Sequence, residues 1–139
     1  MRISRALHDE IVAHAAASVP QECCGLVAAS GEEAVRVYRV ENVHEHPQYG
    51  YVVDGRELFE RLDEIEGQGW RLGAIYHSHP RTAPVPSQTD INLAVADGVG
   101  PVWPGTLYII VGFERPGEPV VRAYRIESAS PEEVELSVE

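Results

Sequence analysis

The stretch Trp70–His79 (WRLGAIYHSH), then the seven residues PRTAPVP, then Ser87-Gln88-Thr89-Asp90, is an apolar run that turns polar at its far end. A run of this kind, with glycines before it and a proline-rich loop after it, predicts a mostly apolar strand. Strand side chains alternate, so His77 and His79 share one face with their backbones about 7 Å apart. Ser87 is placed to cap a helix, and Asp90 then falls in that helix's first turn. The loop thus returns the chain so that a carboxylate can meet two imidazoles.

Working outward, Ser4 is the expected N-cap of a first helix with Leu7, Ile11 and Ala15 on one face, and Pro20 stops it. CCGLVAAS (23–30) reads as a buried strand and AVRVYRV (34–40) as an alternating one. A polar segment, ENVHEHPQYG (41–50), leads to a short extended piece at YVV (51–53). Asp54 with Glu57 resembles a capping box, and Leu58, Leu62 and Ile65 follow at helical spacing, ending near Gly67 or Gly69. The helix begun at Ser87 is expected to end before Gly98. TLYIIVG (106–112) and PVVRAYRI (119–126) are two further strands, and the tail SPEEVELSVE (130–139) reads as a surface segment. Strands and helices are interspersed, which predicts an α/β fold with a single mixed sheet flanked by helices.

At 139 residues the chain is expected to form one domain spanning 1–139. No run of 18 apolar residues appears, so no membrane partner is expected, and MRISRALHDE lacks the apolar stretch of a secretion signal. The expected location is the cytoplasm. A net charge of -11 counts against nucleic acid, whose phosphates need a basic face. All 11 basic residues are arginine, so no lysine is present to accept an isopeptide modification. Cys23 and Cys24 are adjacent and do not form a disulfide framework.

Two imidazoles and a carboxylate suit a catalytic zinc ion, which keeps its fourth position open for water and lowers that water's pKa to about 7. An H-x-H pair alone is a weak signal, and the chain carries its own control in His44-Glu45-His46, a pair in a polar loop with no Ser-x-x-Asp behind it. That pair reads as surface. Ser87 and Asp90 could equally be an N-cap with an acidic first turn, a role compatible with metal binding. The full combination gives the specificity: H-x-H ending an apolar strand, seven residues, then S-x-x-D opening a helix.

In this combination the chain resembles the JAMM, or MPN-plus, zinc metalloprotease family, whose signature His77, His79, Ser87 and Asp90 match position for position. The family also carries an upstream glutamate followed closely by Cys-Gly, here Glu22 in Pro20-Gln21-Glu22-Cys23-Cys24-Gly25. The resemblance covers nearly the whole chain and implies the MPN/JAMM fold, which is cytidine-deaminase-like. It implies Zn2+ held by His77, His79 and Asp90, with Glu22 as the general base that takes a proton from water and passes it to the leaving amine. It also implies that Ser87 hydrogen-bonds the developing oxyanion. The implied substrate is an amide or isopeptide bond after the C-terminal glycine of a ubiquitin-like or sulfur-carrier protein with a Gly-Gly tail. With short connections, the chain looks closest to the compact prokaryotic members. The tail could lie as an added strand against a wall formed by 42–53 and the loop holding Trp103.

Four rival readings follow from the same residues. One is a non-catalytic MPN scaffold, whose members usually lack part of the ligand set. A zinc deaminase wants H-x-E and P-C-x-x-C, and neither is present. A DNA-repair relative sits poorly with the acidic charge. Cys24 as a thiol nucleophile is set against the commoner role of buried cysteine as a small hydrophobe.

Overall fold

Ser4 is extended, and its Oγ accepts the Leu7 N–H, which starts α1 (Arg5–Ser18) in the computed structural model, a description covering residues 1–139. Ile11 and Ala15 are the fully covered residues of that helix, as the 3.6-residue period requires. Asp54 caps α2 (Gly55–Gly67) by accepting the Glu57 N–H. No helix is long and apolar enough to cross a membrane.

The strands are β1 (Arg2–Ile3), β2 (Cys24–Ser30), β3 (Glu33–Val40), β4 (Arg71–His79), β5 (Val95–Ala96), β6 (Gly100–Pro101), β7 (Leu107–Gly112), β8 (Val120–Arg125), β9 (Glu132–Val134) and β10 (Ser137–Val138). Eight form one mixed sheet in the order β10-β1-β3-β2-β4-β7-β8-β9. Central β4 runs antiparallel to β2 and parallel to β7, which is why its sequence is a continuous apolar run.

Period-2 alternation along β4 divides the core. Ala74 and Tyr76 join Ile11 and Ala15 of α1, together with Val27, Ile109 and Val111. Ile75 faces the other way and joins Leu26, Ile110, Ile65 of α2 and Ala94 of α3 (Gln88–Ala94). His77 and His79 continue the Ile75 face, between the sheet and α2 and α3.

The structure corrects the sequence reading in two places. The tail is structural: Val134, Leu136 and Val138 pack on the α1-side core. β9 and β10 are the two edge strands of the sheet, and only Glu135 and Leu136 separate them. The sheet therefore curls until one short segment ties its edges together, which leaves less unpaired edge. The acids of SPEEVELSVE concealed an alternation, V-x-L-x-V, that was present all along. Second, α3 stops at Ala94, and Val95–Ala96 pair with Gly100–Pro101 in a hairpin. Gly98 and Gly100, at φ 73° and 113°, make that reversal possible.

Candidate metal centre

β4 delivers His77 and His79 side by side, with their Nε2 atoms 3.2 Å apart. Ser87 caps α3 in a capping box: its Oγ accepts the Asp90 N–H at 3.1 Å, and Asp90 Oδ2 accepts the Ser87 N–H at 2.9 Å. The cap turns the Asp90 carboxylate inward, where Oδ2 lies 3.1 Å from His77 Nε2 and 3.1 Å from His79 Nε2. All three side chains are buried.

The tautomer of His79 follows from its other nitrogen. Nδ1 faces the Ala83 carbonyl oxygen at 2.9 Å, a position only an N–H satisfies, so the neutral ring turns the Nε2 lone pair toward Asp90 and His77. Three electron-rich atoms then form a near-equilateral triangle with sides of 3.1–3.2 Å. Ligand atoms about 2.0–2.1 Å from a tetrahedral ion lie ~3.3–3.4 Å from one another. The donor set thus fits a divalent cation in size and chemistry, and at His79 in lone-pair direction as well.

The electrostatics describe the same atoms paired through protons instead. Burial holds His77 below the usual histidine range, and its ring stacks on Tyr51 with centroids 4.3 Å apart. Burial also pulls His79 down, but the bonds to Asp90 and to the Ala83 carbonyl outweigh it, so its pKa ends above the usual value. Burial alone would raise Asp90. The bonds from His77, His79 and the Ser87 N–H instead hold it far below the usual carboxylate range.

Glu22 enters from the turn between α1 and β2. Its N–H donates to the Pro47 carbonyl at 2.7 Å, and its own carbonyl accepts from Asn42 Nδ2 at 2.9 Å. A carboxylate oxygen lies within 4.8 Å of ring nitrogens of both His77 and His79. Its Oε1 is buried without a partner. Burial lifts its pKa to about 7; His79 pulls against that shift, and Asp90 adds to it. A second carboxylate therefore stands beside the triangle, and Glu22, His77 and His79 also form a group that could hold a metal ion. Both carboxylates are near the imidazoles, but Asp90, at 3.1 Å, has the shorter approach.

The chain matches the family model of prokaryotic homologs of the JAB domain (Prok-JAB) over residues 4–127. It belongs to that family. It is 35% identical over 108 residues to a desampylase of Haloferax volcanii, a match covering 73% of each chain. It is 30% identical over 122 residues to the CysO-cysteine peptidase of Mycobacterium tuberculosis, covering 86% of this chain and 78% of that one. A JAB1/MPN domain protein from Archaeoglobus fulgidus superposes with a TM-score of 0.64 at 23% identity, covering 100% of this chain and 96% of the other, which shows the fold. The expected kinship with compact prokaryotic members is borne out.

In this Prok-JAB chain Ser87 lines a pocket of about 200 Å³ together with Glu22, Tyr49, His79 and Arg81. A separate apolar groove of about 140 Å³ is lined by Tyr51, Val52, Val53, Leu58, Leu93 and Trp103, from the 42–53 stretch, α2, α3 and the Trp103 loop. The thiol reading of Cys24 fails: it is fully buried inside β2, and burial pushes its pKa to about 12. Burial likewise lifts Cys23 to about 11. His44 and His46 do not converge on a carboxylate; the His46 N–H donates to His44 Nδ1 at 2.8 Å. Ser78 points away from the centre, where its Oγ accepts the Cys23 N–H at 2.9 Å.

Sequence reasoning missed the groups that hold this Prok-JAB centre in place. Asn42 makes four bonds: it accepts from His44 and Val52 N–H and donates to the Glu22 and Gly50 carbonyls, fixing Glu22 to the neighbouring loop. One asparagine in a polar stretch carries no signal of that role. The loop bearing Ala83 is pinned at Pro84, since Tyr124 Oη donates to the Pro84 carbonyl at 2.7 Å and Gly112 packs directly against the Ala83–Pro84 backbone. A Cβ on Gly112 would meet Pro84 N at 2.4 Å, a backbone atom that cannot step aside. Gly112→Ala is therefore expected to displace the Ala83 carbonyl from His79 and weaken metal binding by about 10–100-fold, the usual effect of losing a ligand's outer partner. A metal titration with a chromophoric chelator competitor measures this; unaltered affinity would show that the loop does not position His79.

Proposed function

We propose that this chain is a zinc metallopeptidase that hydrolyses the amide or isopeptide bond after the C-terminal glycine of a ubiquitin-like or sulfur-carrier protein. The observation that carries this reading is the triangle of His77 Nε2, His79 Nε2 and Asp90 Oδ2 with sides of 3.1–3.2 Å. The desampylase and the CysO-cysteine peptidase support the substrate class by their names. The cytoplasmic location expected from the sequence is part of the same reading.

His77, His79 and Asp90 would hold the ion, which in such a site polarises a carbonyl and makes water a nucleophile at neutral pH. Glu22 takes a proton from the attacking water and delivers it to the departing amine, a task suited to a carboxylate that titrates near neutrality. Ser87 Oγ accepts from Asp90 N–H, so its own hydroxyl proton remains free to donate to the oxyanion. One such donor contributes about 2.7–4 kcal/mol to the transition state. The Tyr51–Trp103 groove receives the extended tail, with its glycines nearest His77.

Trp103→Ala is expected to raise KM for a carrier conjugate about tenfold or more while leaving kcat within about twofold, since a buried aromatic anchor is worth 2 kcal/mol or more in binding. Unchanged KM would remove the groove from the substrate path. The function itself is tested by incubating the zinc-loaded protein with carrier conjugates from its own source, with and without chelator, and weighing the products. Chelator-sensitive release of a carrier ending in glycine is the expected result; intact conjugates in both samples would refute the proposal.

A further inference from the structure

The pocket that holds Glu22, His79 and Ser87 abuts a larger one, of about 470 Å³, lined by Ala16, Val19, Phe113 and Glu114. Pro80 and Arg81 belong to both. Arg81 thus stands at the junction, with its guanidinium carbon 5.7 Å from the centre of the Tyr49 ring. It is exposed to solvent and forms no ion pair. An unpaired guanidinium beside a catalytic carboxylate is a ready receptor for an anionic group, because its planar fork matches a carboxylate.

The position of Glu22 says which end of the substrate Arg81 meets. The group that protonates the departing amine must stand on the amine's side of the scissile bond. Glu22 shares its pocket with Arg81 and not with the apolar groove on the Tyr51 side. We infer that Arg81 is a specificity residue that binds a carboxylate on the leaving group, so that the favoured substrates release an amino acid through its α-amine. In such a substrate the carboxylate carbon lies about 2.4 Å from the scissile nitrogen, one Cα away. A protein lysine joined through its side chain has no carboxylate there. Hydrolysis consumes one water: its oxygen stays on the glycine carbonyl carbon, the C–N bond breaks, and the nitrogen leaves with the transferred proton. The larger pocket, with Val19 and Phe113 in its wall, receives the side chain of the released residue.

This inference rests on the peptidase reading, and the two can fail separately. Three probes share one carrier-tail peptide ending in Gly-Gly. The first continues to leucine with a free carboxylate, the second to leucine amide, and the third is joined to the side-chain nitrogen of Nα-acetyl-lysine amide. The zinc-loaded protein is expected to favour the free acid over both amides by about tenfold in kcat/KM, mostly through KM, as one charge-assisted bond at a solvent-accessible site provides. Arg81→Ala should bring the acid-to-amide ratio to about one, and Arg81→Lys should restore part of it. Dissociation constants measured on the chelator-treated protein give a second readout without turnover, with the same ratio expected. A wild-type ratio near one, or a ratio that Arg81→Ala leaves in place, overturns the inference. Tighter binding of the acid that depends on Arg81, without cleavage of any probe, would sink the peptidase reading and keep Arg81 as a carboxylate anchor.

Discussion

Asp90→Ala is expected to yield a folded protein that neither retains zinc through dialysis nor cleaves a conjugate. The substitution takes away one of three donors and leaves two imidazole nitrogens 3.2 Å apart with no anion between them. Loss of a ligand exceeds the effect of losing a partner behind one, so metal affinity should fall by well over about 100-fold. The same change removes the acceptor of the Ser87 N–H and so weakens the cap of α3 by about 1 kcal/mol. Asp90→Asn separates the two consequences, because it keeps a cap acceptor and the side-chain shape while removing the charge. Both variants should lose zinc, as read by atomic emission on dialysed protein, and circular dichroism should show Asp90→Asn folded. Retention of one zinc per chain by a folded Asp90→Asn protein would exclude Asp90 as a ligand.

Glu22→Gln should do the opposite: full zinc content with kcat lowered by about 10²–10⁴, the usual contribution of a positioned proton-transfer group. The amide is the same shape, and both backbone bonds that place the residue, to Pro47 and from Asn42, remain available. A pH profile distinguishes this from distortion. Burial lifts the folded pKa of Glu22 to about 7, and a neighbouring divalent cation favours the ionised form and lowers it again. The working form is the carboxylate, so wild-type kcat/KM should rise with pH along an acidic limb whose midpoint is at or below about 7. The glutamine protein lacks that carboxylate, so the part of the limb due to Glu22 should disappear, and any limb it keeps belongs to the metal-bound water. Equal turnover by the two proteins would end the general-base assignment.

How much of this was legible in the chain depends on whether the signal is local. The H-x-H pair, the Ser87 cap and Asp90 are separated by one loop, and strand alternation with helix capping sufficed to bring them together. α1 and α2 announced themselves through Ser4, Asp54 and their apolar spacing for the same reason. Closure of the sheet was not legible, because β1 meets β10 across nearly the whole chain length and no local rule encodes that pairing. β5 reads as the end of α3, since Ala94, Val95 and Ala96 extend an apolar run past the true end, and the glycines that turn the hairpin come later. The supports of the site, Asn42 behind Glu22, the Ala83 carbonyl behind His79 and Tyr51 against His77, are contacts between segments far apart or made by backbone. A single sequence marks none of them.

The most direct measurement is anomalous diffraction at the zinc edge from zinc-loaded crystals. A single peak should lie about 2.0–2.2 Å from His77 Nε2, His79 Nε2 and Asp90 Oδ2, with the Glu22 carboxylate beyond bonding distance. No peak at this position, or one coordinated by Glu22 while Asp90 points elsewhere, would contradict the account.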